Sequence, residues 1–155
     1  MGIVYTGVFS GVSVTAAQDL FELLAPAARS VILHSVAISQ SSNTDSEQLR
    51  LTIRRVTGAP TSGSGGSTVT PASAVPGLTF DGTLEANNTT RISGGTQATL
   101  WDEGQNVLNG WQYLPVPEDR LEAEGGSRLV IGLEAAPADA LTMSGVIVFE
   151  VIGGV

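Results

Sequence analysis

Short runs of alternating apolar and polar residues, each closed by Gly, Pro, Ser or Asn, recur along the whole chain. A period of two places successive side chains on opposite faces of a strand. No segment carries a convincing long helical period, so the pattern confines the chain to an all-β fold.

Ile3 to Ser10 alternates, with Ile3, Tyr5 and Phe9 on one side. Val31 to Gln40 is apolar on both faces, as in a strand buried on both sides. In Gln48 to Val56, Leu49, Leu51 and Ile53 face inward while Arg50, Thr52 and Arg54 face outward. Ser127 to Ala135 directs Leu129, Ile131 and Leu133 inward, and Leu141 to Ile152 gathers Leu141, Met143, Ile147, Phe149 and Val151 on one face. Thr15 to Pro26 reads two ways. Thr15 and Gln18 have capping-box spacing, with Ala17, Leu20, Phe21 and Leu24 at helical intervals, yet Leu20 to Leu23 pairs equally well as a strand. The strand is preferred because its surroundings are β. Leu78–Phe80, Gln97–Trp101 and Val107–Leu114 are shorter strand candidates, with Asp102-Glu103-Gly104 as a turn and Glu85–Ser93 as a polar, Asn-rich stretch. Pro115 and Pro117 mark an edge or corner, and Gly125-Gly126 a hairpin-type turn. The count of about eight strands predicts one domain over residues 1–155, a jelly-roll-like two-sheet sandwich. Its expected core includes Leu33, Leu51, Ile53, Leu129, Ile131, Leu133, Ile147 and Phe149.

One stretch has no strand pattern. Residues 57–77 are almost all Gly, Ser, Thr, Pro and Ala, and a loop of that length in a compact domain is functional or disordered. It lacks the Gly-Lys-Ser/Thr ending of a phosphate-binding loop. It is expected to lie across a neighbouring subunit or along the protein's own surface.

The side-chain inventory restricts the chemistry. The chain has no Cys, no Lys and a single His, His34, and its net charge is −8 with seven Arg as the only strong cations. Thiolate and disulfide chemistry are excluded, and a nucleic-acid groove, which needs clustered cations, is disfavoured. No apolar stretch approaches the ~20 residues of a membrane helix. His34 sits in an apolar strand, as a structural histidine does, and no G-x-S-x-G nucleophile elbow accompanies it. The adjacent acids Asp102-Glu103 and Glu118-Asp119 read as solvated turns rather than a glycosidase pair. Asn43, Asp45 and Glu47 have the oxygen spacing of some calcium loops but lack the Gly and the distal Glu. No catalytic, cofactor or metal site is expected. Trp111 and Tyr113 share one face of a strand, as core residues do, while Trp101 is placed at a rim where aromatics anchor protein contacts. Only 14% of residues are charged, against about 25% in a typical soluble domain, which points to surface covered by a partner or by sister copies.

The segments SQSSNTDSEQLRLTIRR, TSGSGGSTVTP, LEANNTT, GWQYLPVPEDR and AAPADALTMSGVIVFEVIGG occur in this order. Taken together they resemble a family of small phage- and prophage-encoded virion structural proteins, over about residues 14–154. The resemblance implies a virion component made in the host cytoplasm. A further step makes it a capsid decoration protein that binds the major capsid protein on the outer shell. An acidic protein suits that surface, away from packaged DNA. A trimer would match local threefold positions of an icosahedral lattice. The alternatives are a tail, baseplate or fibre-attachment component, or a carbohydrate- or host-surface-binding module. The expected contacts are Ile3, Val4 and Tyr5 of the apolar start, Ser62, Gly63, Ser64, Gly65, Gly66 and Ser67 of the loop, and Trp101.

Overall fold

The computed structural model describes residues 2–153, and the alternating runs there become antiparallel strands. In chain order these are β1 (Ile3–Val14), β2 (Gln18–Leu24), β3 (Ser30–Gln40), β4 (Gln48–Thr57), β5 (Ser67–Val69) and β6 (Ala72–Ser73). There follow β7 (Thr83–Asn88), β8 (Thr96–Asn106), β9 (Trp111–Tyr113), β10 (Glu122–Ala123), β11 (Arg128–Leu133) and β12 (Leu141–Ile152). The ambiguous segment before Pro26 is the strand β2.

Eight of these strands nest in pairs: β1 with β12, β2 with β11, β3 with β9, and β4 with β8. First pairs with last and second with second-last, which is a long hairpin rolled on itself, the jelly roll. Sheet A runs β10-β3-β12-β1-β6, with β9 also on β3; sheet B runs β5-β7-β2-β11-β4-β8. The insertion between β4 and β8 supplies β5, β6 and β7.

All eight expected core residues are fully buried between the sheets. The core is closed at one end by Tyr5, Phe80 and Phe149, whose rings lie 5.0–5.7 Å apart. Phe80 contributes from a loop, not from the short strand expected at Leu78–Phe80.

Two bulges set which residues face out. β2 carries one residue more than β11 between Phe21 and Asp19, so Leu20 and Phe21 both enter the core while Asp19 and Glu22 lie on the outer side. β3 carries an extra residue between Leu33 and Ser35, which leaves Leu33 and Val36 inside and turns His34 toward Glu150. Unbroken alternation along Val31–Gln40 would set Val36 and Ile38 on the face of Ile32 and His34; the bulge instead brings Val36 and Ile38 to the core side with Val31 and Leu33. The expected turn Asp102-Glu103-Gly104 is continuous strand within β8, paired to Arg50–Thr52 of β4.

Candidate functional site

The outer face of sheet B is covered by the chain itself over β2, β11 and the adjoining end of β4, while Arg50 and Asp102 toward β8 stay exposed. Residues 61–64 run antiparallel to residues 90–93, joined by Thr61–Ser93 and Ser64–Thr90 main-chain hydrogen bonds of 2.8–3.1 Å. The pair forms a strap over polar groups of β2, β4 and β11. Beneath it Asp19 is wholly buried. Its Oδ1 accepts from Arg54 at 2.6 Å and from Arg91 Nε at 3.1 Å, and its Oδ2 accepts the Ile92 N–H at 2.7 Å. Arg91 then grips Glu134 through two parallel bonds of 2.7 and 3.0 Å, and the Thr52 hydroxyl donates to the same carboxylate. The Arg91 fork, helped by Thr52, holds the Glu134 carboxyl down to about 2 against the opposing effect of burial. A second node centres on Glu22, which accepts from Gly63 N–H at 3.0 Å and Asn88 Nδ2 at 3.2 Å, with Arg128 Nε 3.0 Å away. Val56, Ile92 and Val130 form a separate small apolar cluster on this side.

The Gly and Ser of the strap follow from that packing. A Cβ on Gly63 would meet the Thr90 carbonyl, and one on Gly66 would overlap the Ala86 carbonyl and Asn88 Oδ1. Ser62 Oγ accepts from Arg128 at 3.1 Å. The segment expected to reach for a partner, Ser62 to Ser67, is therefore fastened to its own sheet, and Ser67 opens β5 beside β7.

The outer face of sheet A has no such cover among the described residues. Registers across β1, β12, β3 and β9 place Val8, Val146, Ala37 and Gln112 in one outward row and Thr6, Val148 and Ser35 in the next. Val8 and Val146 are exposed, as are Leu114 and Val116 past the end of β9. The third row is Val4, Glu150 and Ile32. In it Glu150 Oε2 lies 3.0 Å from His34 Nε2.

The remaining expected contacts divide. Val4 lies in that outward row. Tyr5 is 1% exposed, with its hydroxyl donating to the Thr79 carbonyl, and so lies out of a partner's reach; Ile3 packs against the core. Trp101 is 42% exposed at the edge strand β8, its ring edge-on to Tyr113 and its Nε1 donating to Glu103 Oε2. Trp111, buried as expected, donates to the same oxygen. Sequence reasoning missed the sheet A face, whose signal was the alternation of small apolar and hydroxyl residues opposite the core positions of β1, β3 and β12. At the Asn43–Glu47 turn Gln40 Oε1 accepts the Ser42 and Asn43 N–H groups, Asn43 Oδ1 accepts the Asp45 N–H, and Glu47 Oε1 accepts the Ala138 N–H. No group of three metal-binding side chains occurs among the described residues.

No family model, curated protein or solved structure matches the chain.

Proposed function

We propose that the chain is a non-enzymatic structural protein of a phage particle that decorates the outside of the capsid, docking through the outer face of sheet A. The observation that carries the reading is the inequality of the two faces. One is largely closed by the chain's own strap over paired charges; the other leaves Val8, Val146, Leu114 and Val116 exposed. Val8 and Val146 are direct neighbours across β1 and β12, and exposed apolar surface of this kind marks an interaction site. The resemblance of the ordered sequence segments to virion proteins supplies the partner class, and the −8 net charge suits the side of a shell away from DNA.

The reading is tested by quantifying the protein in purified particles of the phage that encodes it, relative to the major capsid protein. Hundreds of copies per particle support decoration. A handful would move the protein to the tail, and absence from particles would overturn the virion reading altogether. Glycan binding that disappears on Trp101→Ala would instead favour a host-surface-binding module.

A further inference from the structure

The sheet edges are not alike. At one side, sheet B ends in β8, which bears Asp102 and Glu103 and is bulged at Leu100. Sheet A ends on β9 and β10, flanked by Pro115, Pro117, Glu118 and Asp119 and bearing Glu122. At the other side, β5 is only three residues long. Charges, prolines, bulges and shortness are the devices that stop an edge from pairing with another chain.

β1 is different. β6 pairs with it only at Tyr5 and Thr6, and from Gly7 to Val14 no strand among the described residues pairs with it on that side. The direction of its main-chain groups follows from one bond: the Val4 carbonyl accepts the Ala74 N–H at 2.8 Å, so Val4 faces the β6 edge. Every second residue of a strand faces the same neighbour, which turns the N–H and C=O of Thr6, Val8 and Ser10 to that edge. Past the end of β6, Val8 and Ser10 hold theirs out. At Gly11 the β1 bulge turns the chain back, and its N–H donates to Ser144 Oγ at 3.1 Å.

The edge is also neutral. Residues 2–18 contain no Asp, Glu, Arg or His. The adjoining cleft of about 510 Å³, between β1 and β5, is walled by Phe9, Val12, Val69, Gln18 and Asn87 among others, none of them charged. Two chains of net charge −8 repel one another least where neither carries charge.

We infer that two copies of this chain join edge to edge, antiparallel, through Gly7–Ser10 of β1 about a two-fold axis, merging their A sheets into one. The same strand supplies both sides of the contact, as an isologous interface requires. The pairing goes beyond the virion reading and stands without it, and it leaves the outer face of sheet A free. It predicts a two-fold pair where the lattice argument favours a trimer.

The test combines sedimentation velocity with residue-resolved amide exchange on the full chain from low to high micromolar concentration. The mass should double, and exchange at the Val8 and Ser10 amides should slow about tenfold or more as it does. Val8→Pro removes an outward N–H without touching the β12 ladder, a position where an edge strand tolerates proline. It should melt cooperatively and stay monomeric. Should that variant fail to fold, Ser10→Lys, which sets like charges across the axis, must give the monomer instead. A wild-type monomer at every concentration, an oligomer whose Val8 and Ser10 amides exchange as fast as in the dilute protein, or a folded Val8→Pro dimer would each overturn the inference.

Discussion

The outer faces of the two sheets are both the polar-alternating side of paired strands, yet they differ in composition and end in different states. On sheet B the outward positions of β2, β4 and β11 hold Asp19, Glu22, Thr52, Arg54 and Arg128, and the insertion between β4 and β8 folds back to bury them. On sheet A the outward positions hold mostly Val, Thr, Ser and Ala, with Glu150 beside His34, and nothing among the described residues folds back over them. Polarity in a strand pattern thus did not report exposure: the charged face is the enclosed one and the apolar face the open one. The enclosed face works because Asp19 and Glu22 each meet a guanidinium and a main-chain N–H, and Glu134 meets Arg91 and the Thr52 hydroxyl, which offsets the cost of burying their charges.

The sharpest way to break this comparison is Asp19→Ala. It leaves Arg54 and Arg91 short of their shared carboxylate and the Ile92 N–H without its acceptor. Losing one member of a buried ionic group costs about 3–5 kcal/mol. Urea unfolding should show that loss, and a change below about 1 kcal/mol would mean the strap does not enclose the site. Ile131→Ala, at the centre of the core between the sheets, is expected to cost about 2–5 kcal/mol. Next comes Val130→Ala, one residue away on the strap side. Val130 is fully buried against Val56 and Ile92, so its loss should cost about 2 kcal/mol, as for an inner position. Gly66→Ala tests the strap's close approach and should cost about 1–3 kcal/mol, because the Ala86 carbonyl it meets is main chain and yields little.

How far the sequence could reveal this follows from the same comparison. β1, β4, β11 and β12 were legible because each has one face in the core, and alternation records that directly. β3 was legible as a strand but not in its faces, since the bulge at His34 shifts the period midway. β7, Thr-Leu-Glu-Ala-Asn-Asn, was not legible as a strand. It lies between β2 and β5, where Asn88 Nδ2 donates to both Glu85 and Glu22. The Gly-Ser run was ambiguous for a deeper reason: glycine chosen so that backbones can approach closely looks the same in composition as glycine chosen for freedom. Of the expected contacts, the structure buries Tyr5 in the core and Gly63 within the strap, while Val4 is half-buried and Ser62, Ser64, Gly65, Gly66, Ser67 and Trp101 keep exposed surface.

Acid should separate the two faces without mutation. Glu134 is held at about 2, below its ordinary 4.5, chiefly by the Arg91 fork. A carboxyl lowered in the folded state stabilises fully above its unfolded value, and that contribution is lost as pH falls from about 4.5 toward 2. Stability should therefore decline through this window, with earlier exchange at the Ile92 amide beside the same network than at the core amides of β11. Glu134→Gln should flatten the dependence there. A wild-type slope that survives the substitution would assign the acid sensitivity to other carboxylates.

The smallest expected change in stability belongs to the open face, and it is the most informative about function. Val146 faces water between Val8 and Ala37, so Val146→Lys should alter stability by no more than about 0.5 kcal/mol. If the face docks on a capsid shell, the lysine would be carried into an apolar contact without a partner, and association should weaken tenfold or more, about 1.4 kcal/mol. Binding of the variant to undecorated heads, measured by co-sedimentation, checks this against an Arg55→Lys control on sheet B. Equal binding by both would remove the open face from the docking reading while leaving its exposure to be explained by some other contact. A stability loss as large as that of Val130→Ala would show instead that the face is already covered, and the contrast between the two sheets would fall.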